Sequence, residues 1–123
     1  MSVWLGCLVC HDGWMSARFK DLCFDANDHQ GLADWWCRAL GYERIWGDGR
    51  PADAPVPIAD PGGQGPLIWV NPVPEGKVVK NRVHIDVFGD TDELVTLGAT
   101  LLRRRDGERN WDMLADPDAI CRP

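Results

Sequence analysis

Residues 19–41, FKDLCFDANDHQGLADWWCRALG, carry two periodicities in succession. Leu22, Phe24 and Ala26 alternate with Asp21, Cys23 and Asp25, the period-2 pattern of a strand with one apolar face. Asp28 is placed to cap a helix, because its carboxylate can accept a bond from an orphan amide of the first turn. Leu32, Trp35, Trp36, Ala39 and Leu40 then follow at i, i+3, i+4, i+7 and i+8, the stripe of a helix buried on one side. Gly41 ends it as a left-handed cap. A one-faced strand running straight into a one-faced helix predicts an α+β layer in which the helix covers the strand's apolar face.

Downstream, residues 42–46 are strand-like, and residues 47–57 hold Gly, Asp and three Pro and read as a loop. Ile58-Ala59-Asp60-Pro61 ends a short strand, and residues 66–71 (PLIWVN) form another. The same order then recurs. Val83, Ile85 and Val87 alternate with Arg82, His84, Asp86 and Phe88. Asp90 or Thr91 caps a short helix, with Glu93 placed for a capping box. Residues 100–104 and 111–115 are strands around an Asp106-Gly107 turn.

Three anchors match between the two halves: Phe24-Asp25-Ala26 with Ile85-Asp86-Val87, Leu40-Gly41 with Leu97-Gly98, and Ala59-Asp60-Pro61 with Ala115-Asp116-Pro117. Their order and spacing argue for two copies of one strand–helix–strand–strand–strand unit. The second copy departs from the first. Its helix is shorter, and only residues 118–123 remain for a last strand. The expected organisation is a leader at 1–14 and one domain at 15–123. Within it, module one spans 15–72, a linker 73–81 and module two 82–123.

From residue 15 onward the chain resembles the glyoxalase-like domains of the vicinal-oxygen-chelate superfamily. The resemblance rests on Phe24-Asp25-Ala26-Asn27-Asp28, on the run from Leu32-Ala33-Asp34-Trp35-Trp36 to Gly41, and on Leu97-Gly98-Ala99-Thr100 and Leu114-Ala115-Asp116-Pro117. Its most specific stretch is residues 73–86, VPEGKVVKNRVHID. It implies two βαβββ modules related by pseudo-twofold symmetry. They would form a cupped mixed sheet with helices on its outer face and a small organic molecule inside.

In such a cup Leu22, Phe24 and Ala26 face the helix, while Asp21, Cys23 and Asp25 face the ligand. The same alternation turns Trp69 and Asn71 inward, together with Arg82, His84 and Asp86 from the second copy. Trp111 is a further candidate for stacking on a flat ligand. The expected ligand-binding set is therefore Cys23, Asp25, Trp69, Asn71, Arg82, His84, Asp86 and Trp111. His84 is the best catalytic candidate, since imidazole titrates near neutrality; a structural role bonded to Asp25 or Asp86 stays open beside it.

Metal-dependent relatives place His, Glu or Gln on the first and last strands of each module, where the ion polarises adjacent substrate oxygens. Here only His84 stands at such a position, opposite Asp21 or Cys23. The last-strand positions hold no carboxylate: Ile68, Trp69, Val70 and Asn71 in the first copy, and Ala119, Ile120 and Cys121 in the second. No metal site and no cofactor are expected. The leading expectation is a small-molecule-binding protein without an assigned reaction. A metal-dependent lyase or dioxygenase and a degenerate association module remain open.

Bulk properties bound these readings. The chain of 123 residues is 45% hydrophobic and 26% charged, with seven Trp and a net charge of −6. That acidic balance argues against nucleic acid as a partner, despite the basic runs Lys77-Lys80-Arg82 and Arg103-Arg104-Arg105. No apolar run approaches the ~20 residues of a membrane span, and a cytoplasmic location is expected. Five scattered Cys do not read as a disulfide framework. Cys7-Leu8-Val9-Cys10-His11 fits the haem-attachment pattern, but without an export signal it reads as coincidence. A homodimer is a further expectation of the family.

Overall fold

The computed structural model describes residues 19–47, 49–79 and 83–118. The leader expected at 1–14 lies outside them, as do Arg82 and residues 119–123. The chain runs β1 (Leu22–Ala26), α1 (His29–Leu40), β2 (Glu43–Arg44), β3 (Val56–Ala59), β4 (Ile68–Pro72), α2 (Thr91–Leu97), β5 (Thr100–Arg103) and β6 (Met113–Ala115). The fold is mixed α+β. A four-stranded sheet has the order β1-β4-β3-β2, and β5 and β6 form a separate antiparallel ribbon. β1 and β4 are parallel; the other pairs of the larger sheet are antiparallel.

Local signals acted as read. Asp28 caps α1 by accepting from the Gly31 N–H at 2.9 Å, and Gly41 closes it at φ 70°. Asp90 caps α2 by accepting from the Glu93 N–H, and Gly98 closes it at φ 119°. The Asp60 and Asp116 carboxylates each accept from the N–H two residues on, at 2.8 and 3.1 Å, turning the chain after β3 and β6. The helix caps and the two Asp turns thus match between the halves, whereas Phe24-Asp25-Ala26 lies in a strand and Ile85-Asp86-Val87 does not.

The core lies between the larger sheet and α1. Phe24, Ala26, Val56, Ile58, Ile68 and Val70 from the sheet meet Leu32, Ala33, Trp35 and Trp36 from the helix. Ile58, Ile68 and Val70 are essentially inaccessible, and each such side chain stabilises by about 1.5–3 kcal/mol. Arg44 ties β2 back to the helix through the Asp34 carboxylate and the Gln30 side chain and carbonyl. The second half docks on the same helix. Ala99 is buried there, Leu94, Leu97 and Leu114 pack against the core, and the Trp36 Nε1–H donates to Asp116 at 3.1 Å.

Two expectations need correction. The strand read over residues 42–46 shrinks to Glu43–Arg44. Trp46 adopts a positive φ of 49°, which ends extended backbone. The strand read over 82–88 is absent from its described part, for residues 83–90 have no regular secondary structure. Val83, Ile85, Val87 and Phe88 are all exposed there. Period-2 alternation specifies which side of a strand is apolar; it does not supply the neighbouring edge that a strand needs for its hydrogen bonds.

Charge sets the acid limb of stability. Asp60 is held below its ordinary 3.8 by the N–H groups of Gly62, Gly65 and Gln64. Asp106 is lowered by Arg103 and by the Glu108 and Arg109 amides, and Asp112 by the Thr91 hydroxyl and the Arg105 amide. A depressed carboxylate stabilises fully above its unfolded value, and this is lost as pH falls through the folded one. Asp118, raised by burial, has the opposite sign. With three lowered groups against one raised, stability is expected to fall as pH drops below about 4. Asp112→Asn, which keeps an acceptor for Thr91 but no titrating group, should make that fall shallower in urea titrations at several pH values. An unchanged acid limb would contradict the assignment.

Candidate functional site

The face of the sheet away from α1 is built by the strand alternation that buries the core. Phe24 and Ala26 point to the helix, so Cys23 and Asp25 point the other way and are exposed. The parallel register sets Cys23 beside Trp69 and Asp25 beside Asn71. On the antiparallel side Trp69 pairs with Pro57, and Ala59 with Glu43. The Asn71 Nδ2–H donates to Asp25 Oδ1 at 3.3 Å. Four of the eight expected ligand-binding residues therefore stand on one face: Cys23, Asp25, Trp69 and Asn71.

Two residues that the sequence did not single out join them. The Trp46 ring lies 6.0 Å from Trp69, tilted by 41°, and the Arg50 guanidinium sits 5.5 Å from the Trp69 ring centroid. Arg50 also donates to the Pro55 carbonyl at 2.7 Å. The signal for Trp46 was faint: an exposed-length aromatic just ahead of a Gly-Asp-Gly-Arg loop. Beside this loop lies a cleft of about 140 Å³, bordered by Gln30, Arg44, Arg50, Pro51 and Pro57. It falls short of the roughly 300 Å³ at which drug-sized ligands are enclosed.

Protonation narrows the chemistry. Burial raises the Cys23 thiol above its ordinary value, and the Asp21 charge adds to this. Cys23 is therefore a neutral thiol near pH 7 rather than a nucleophilic thiolate. Asp21 is paired with Lys20 at 2.6 Å.

The other expected residues are placed differently. His84 and Asp86 stand on the exposed 83–90 stretch, Trp111 is 56% exposed just before β6, and Arg82 lies outside the described residues. Among the described residues no hydrogen bond, ion pair or ring contact joins His84, Asp86 or Trp111 to the other four. Nor do three His, Cys, Asp or Glu side chains among them converge as a divalent ion requires. Among the described residues the donors do not fit the metal site of metal-dependent relatives. No helix among the described residues is long and apolar enough to cross a membrane.

Residues 21–119 match the family described as glyoxalase-like domain. The chain belongs to that family. No curated protein and no solved structure matches it. The glyoxalase-like match begins at the foot of β1 and runs past β6, so it covers both the sheet face and the second half of the chain. In this glyoxalase-like domain the sheet face opposite α1 is the candidate site.

Proposed function

We propose that this glyoxalase-like domain binds a small organic molecule on the sheet face that carries Cys23, Asp25, Trp69 and Asn71, without a complete metal site. The observation behind the reading is that α1 covers one face of the sheet, while the other keeps an indole, a carboxylate, an amide and a thiol side by side. Orienting polar groups beside an aromatic surface suit a small organic ligand. In this reading residues 82–123 are a second, shortened βαβββ module related to the first by pseudo-twofold symmetry. Arg82, His84, Asp86 and Trp111 then complete the cup. The matched caps Asp28 and Asp90, the matched Gly41 and Gly98, and the matched turns at Asp60 and Asp116 support it. The domain would work in the cytoplasm, where free thiols such as Cys23 and Cys37 persist.

The test uses 2-phenylethanol as a neutral aromatic probe, followed by amide chemical shifts. Shifts are expected to cluster at Cys23, Asp25, Trp69 and Asn71 and to vanish in Trp69→Ala. Shifts confined to the outer face of α1, or none at all, would overturn the proposal.

A further inference from the structure

The candidate site has a chemical character that narrows its ligand, and the inference rests on the site reading above. Trp46 is 65% exposed and is held at φ 49°, a conformation that L side chains rarely adopt. That conformation places its ring against Trp69 rather than along the strand it follows. Unusual backbone of this kind concentrates at ligand sites.

The Trp69 ring already receives a cation, delivered by the chain's own loop. Among the described residues the Arg50 guanidinium makes no ion pair. What holds it is the indole face and one neutral carbonyl, that of Pro55. Among the described residues of the sheet face, the remaining charge is negative. Asp25 is an exposed carboxylate whose bonded neighbour on β4 is the neutral Asn71. Glu43 pairs with Ala59, so it falls on this side of the sheet, whereas Arg44 turns to α1. Cys23 is uncharged, and Asp21 is neutralised by Lys20. An electron-rich ring beside an unpaired carboxylate is the arrangement that recognises organic ammonium groups.

We infer that the ligand is an organic cation, a protonated or quaternary amine joined to a flat apolar body, and that Arg50 is the internal cation it replaces on Trp69. The amine lies between Asp25 and the Trp69 ring, and the apolar body lies on Trp46. Arg50 then swings out with its loop, so it acts as a competitor for the ring rather than a contact to the ligand.

Three probes of nearly one shape separate the possibilities: phenethylammonium, 2-phenylethanol and 3-phenylpropionate. Each is titrated into the full chain, read by amide shifts and by tryptophan fluorescence. Phenethylammonium should bind about tenfold tighter than the alcohol. Asp25→Asn should erase that margin by weakening phenethylammonium about tenfold, and Arg50→Gln should tighten the cation further. Both positions are exposed, and unchanged melting curves would show that the variants are folded. If 3-phenylpropionate binds best and Arg50→Gln weakens it, Arg50 is an anion contact and the inference is overturned. Equal binding of all three probes on the sheet face overturns it too, while the site reading stands. If no probe shifts Cys23, Asp25, Trp69 or Asn71, the site reading fails and takes this inference with it.

Discussion

Trp35→Ala is expected to lower the unfolding free energy by about 3–5 kcal/mol, measured by urea denaturation. Trp35 is 5% exposed on the inner side of α1, and its ring meets Trp36 edge-on at 4.9 Å. Around it the core is shared between the sheet and the second half, for a side chain at Gly98 would come within 3.6 Å of the indole nitrogen. Truncation removes a large apolar surface and leaves a cavity that neither β-structure nor helix can close alone. One detail separates this site from an ordinary core aromatic. Among the described residues the buried Trp35 Nε1–H has no hydrogen-bond partner, a cost that offsets part of the burial gain. Trp35→Phe removes that donor while keeping most of the ring, so its loss should be well under half that of Trp35→Ala. A Phe variant as damaged as the Ala variant would mean that the indole nitrogen is satisfied in solution.

The first half of the chain was legible because its signals are local. Asp28, the five apolar residues of the stripe and Gly41 specify α1 within one stretch, and no distant contact is needed to interpret them. Alternation in β1 likewise places Cys23 and Asp25 opposite the core before any partner strand is known. Where the reading failed, the missing information was tertiary. Residues 83–88 alternate as well as β1 does, yet β1 gains its order from β4 on one edge and α1 on one face. Nothing in the alternation says whether such neighbours exist. Trp46 and Arg50 reached the site for a similar reason. Their position depends on the path of the loop between β2 and β3, whose Gly and Pro content announces a turn without giving its direction. A strand pattern ending in Trp46 suggested more extended chain; instead the backbone bends there and the ring lies tilted beside Trp69.

Neighbouring residues of β1 should respond in opposite ways to the same truncation. Phe24→Ala is expected to cost about 3–5 kcal/mol of stability, whereas Asp25→Ala should stay within about 0.5 kcal/mol. Phe24 is 8% exposed, and its ring lies 5.7 Å from Trp36, so it clamps the edge strand β1 onto α1. Asp25 projects from the other face, where among the described residues its side-chain partner is Asn71 at 3.3 Å, too weak a tie to hold the strand. The ligand-binding consequences reverse. Asp25→Ala should leave the melting temperature nearly unchanged while abolishing the preference for phenethylammonium over 2-phenylethanol. In Phe24→Ala, molecules that remain folded at low temperature should keep that preference, because the carboxylate, the amide and both indoles are still supplied by β1, β4 and the β2–β3 loop. The pair therefore separates the core face of the strand from its ligand face. Comparable stability losses at both positions would mean that β1 is buried on both sides, and the open sheet face on which the ligand is placed would be closed.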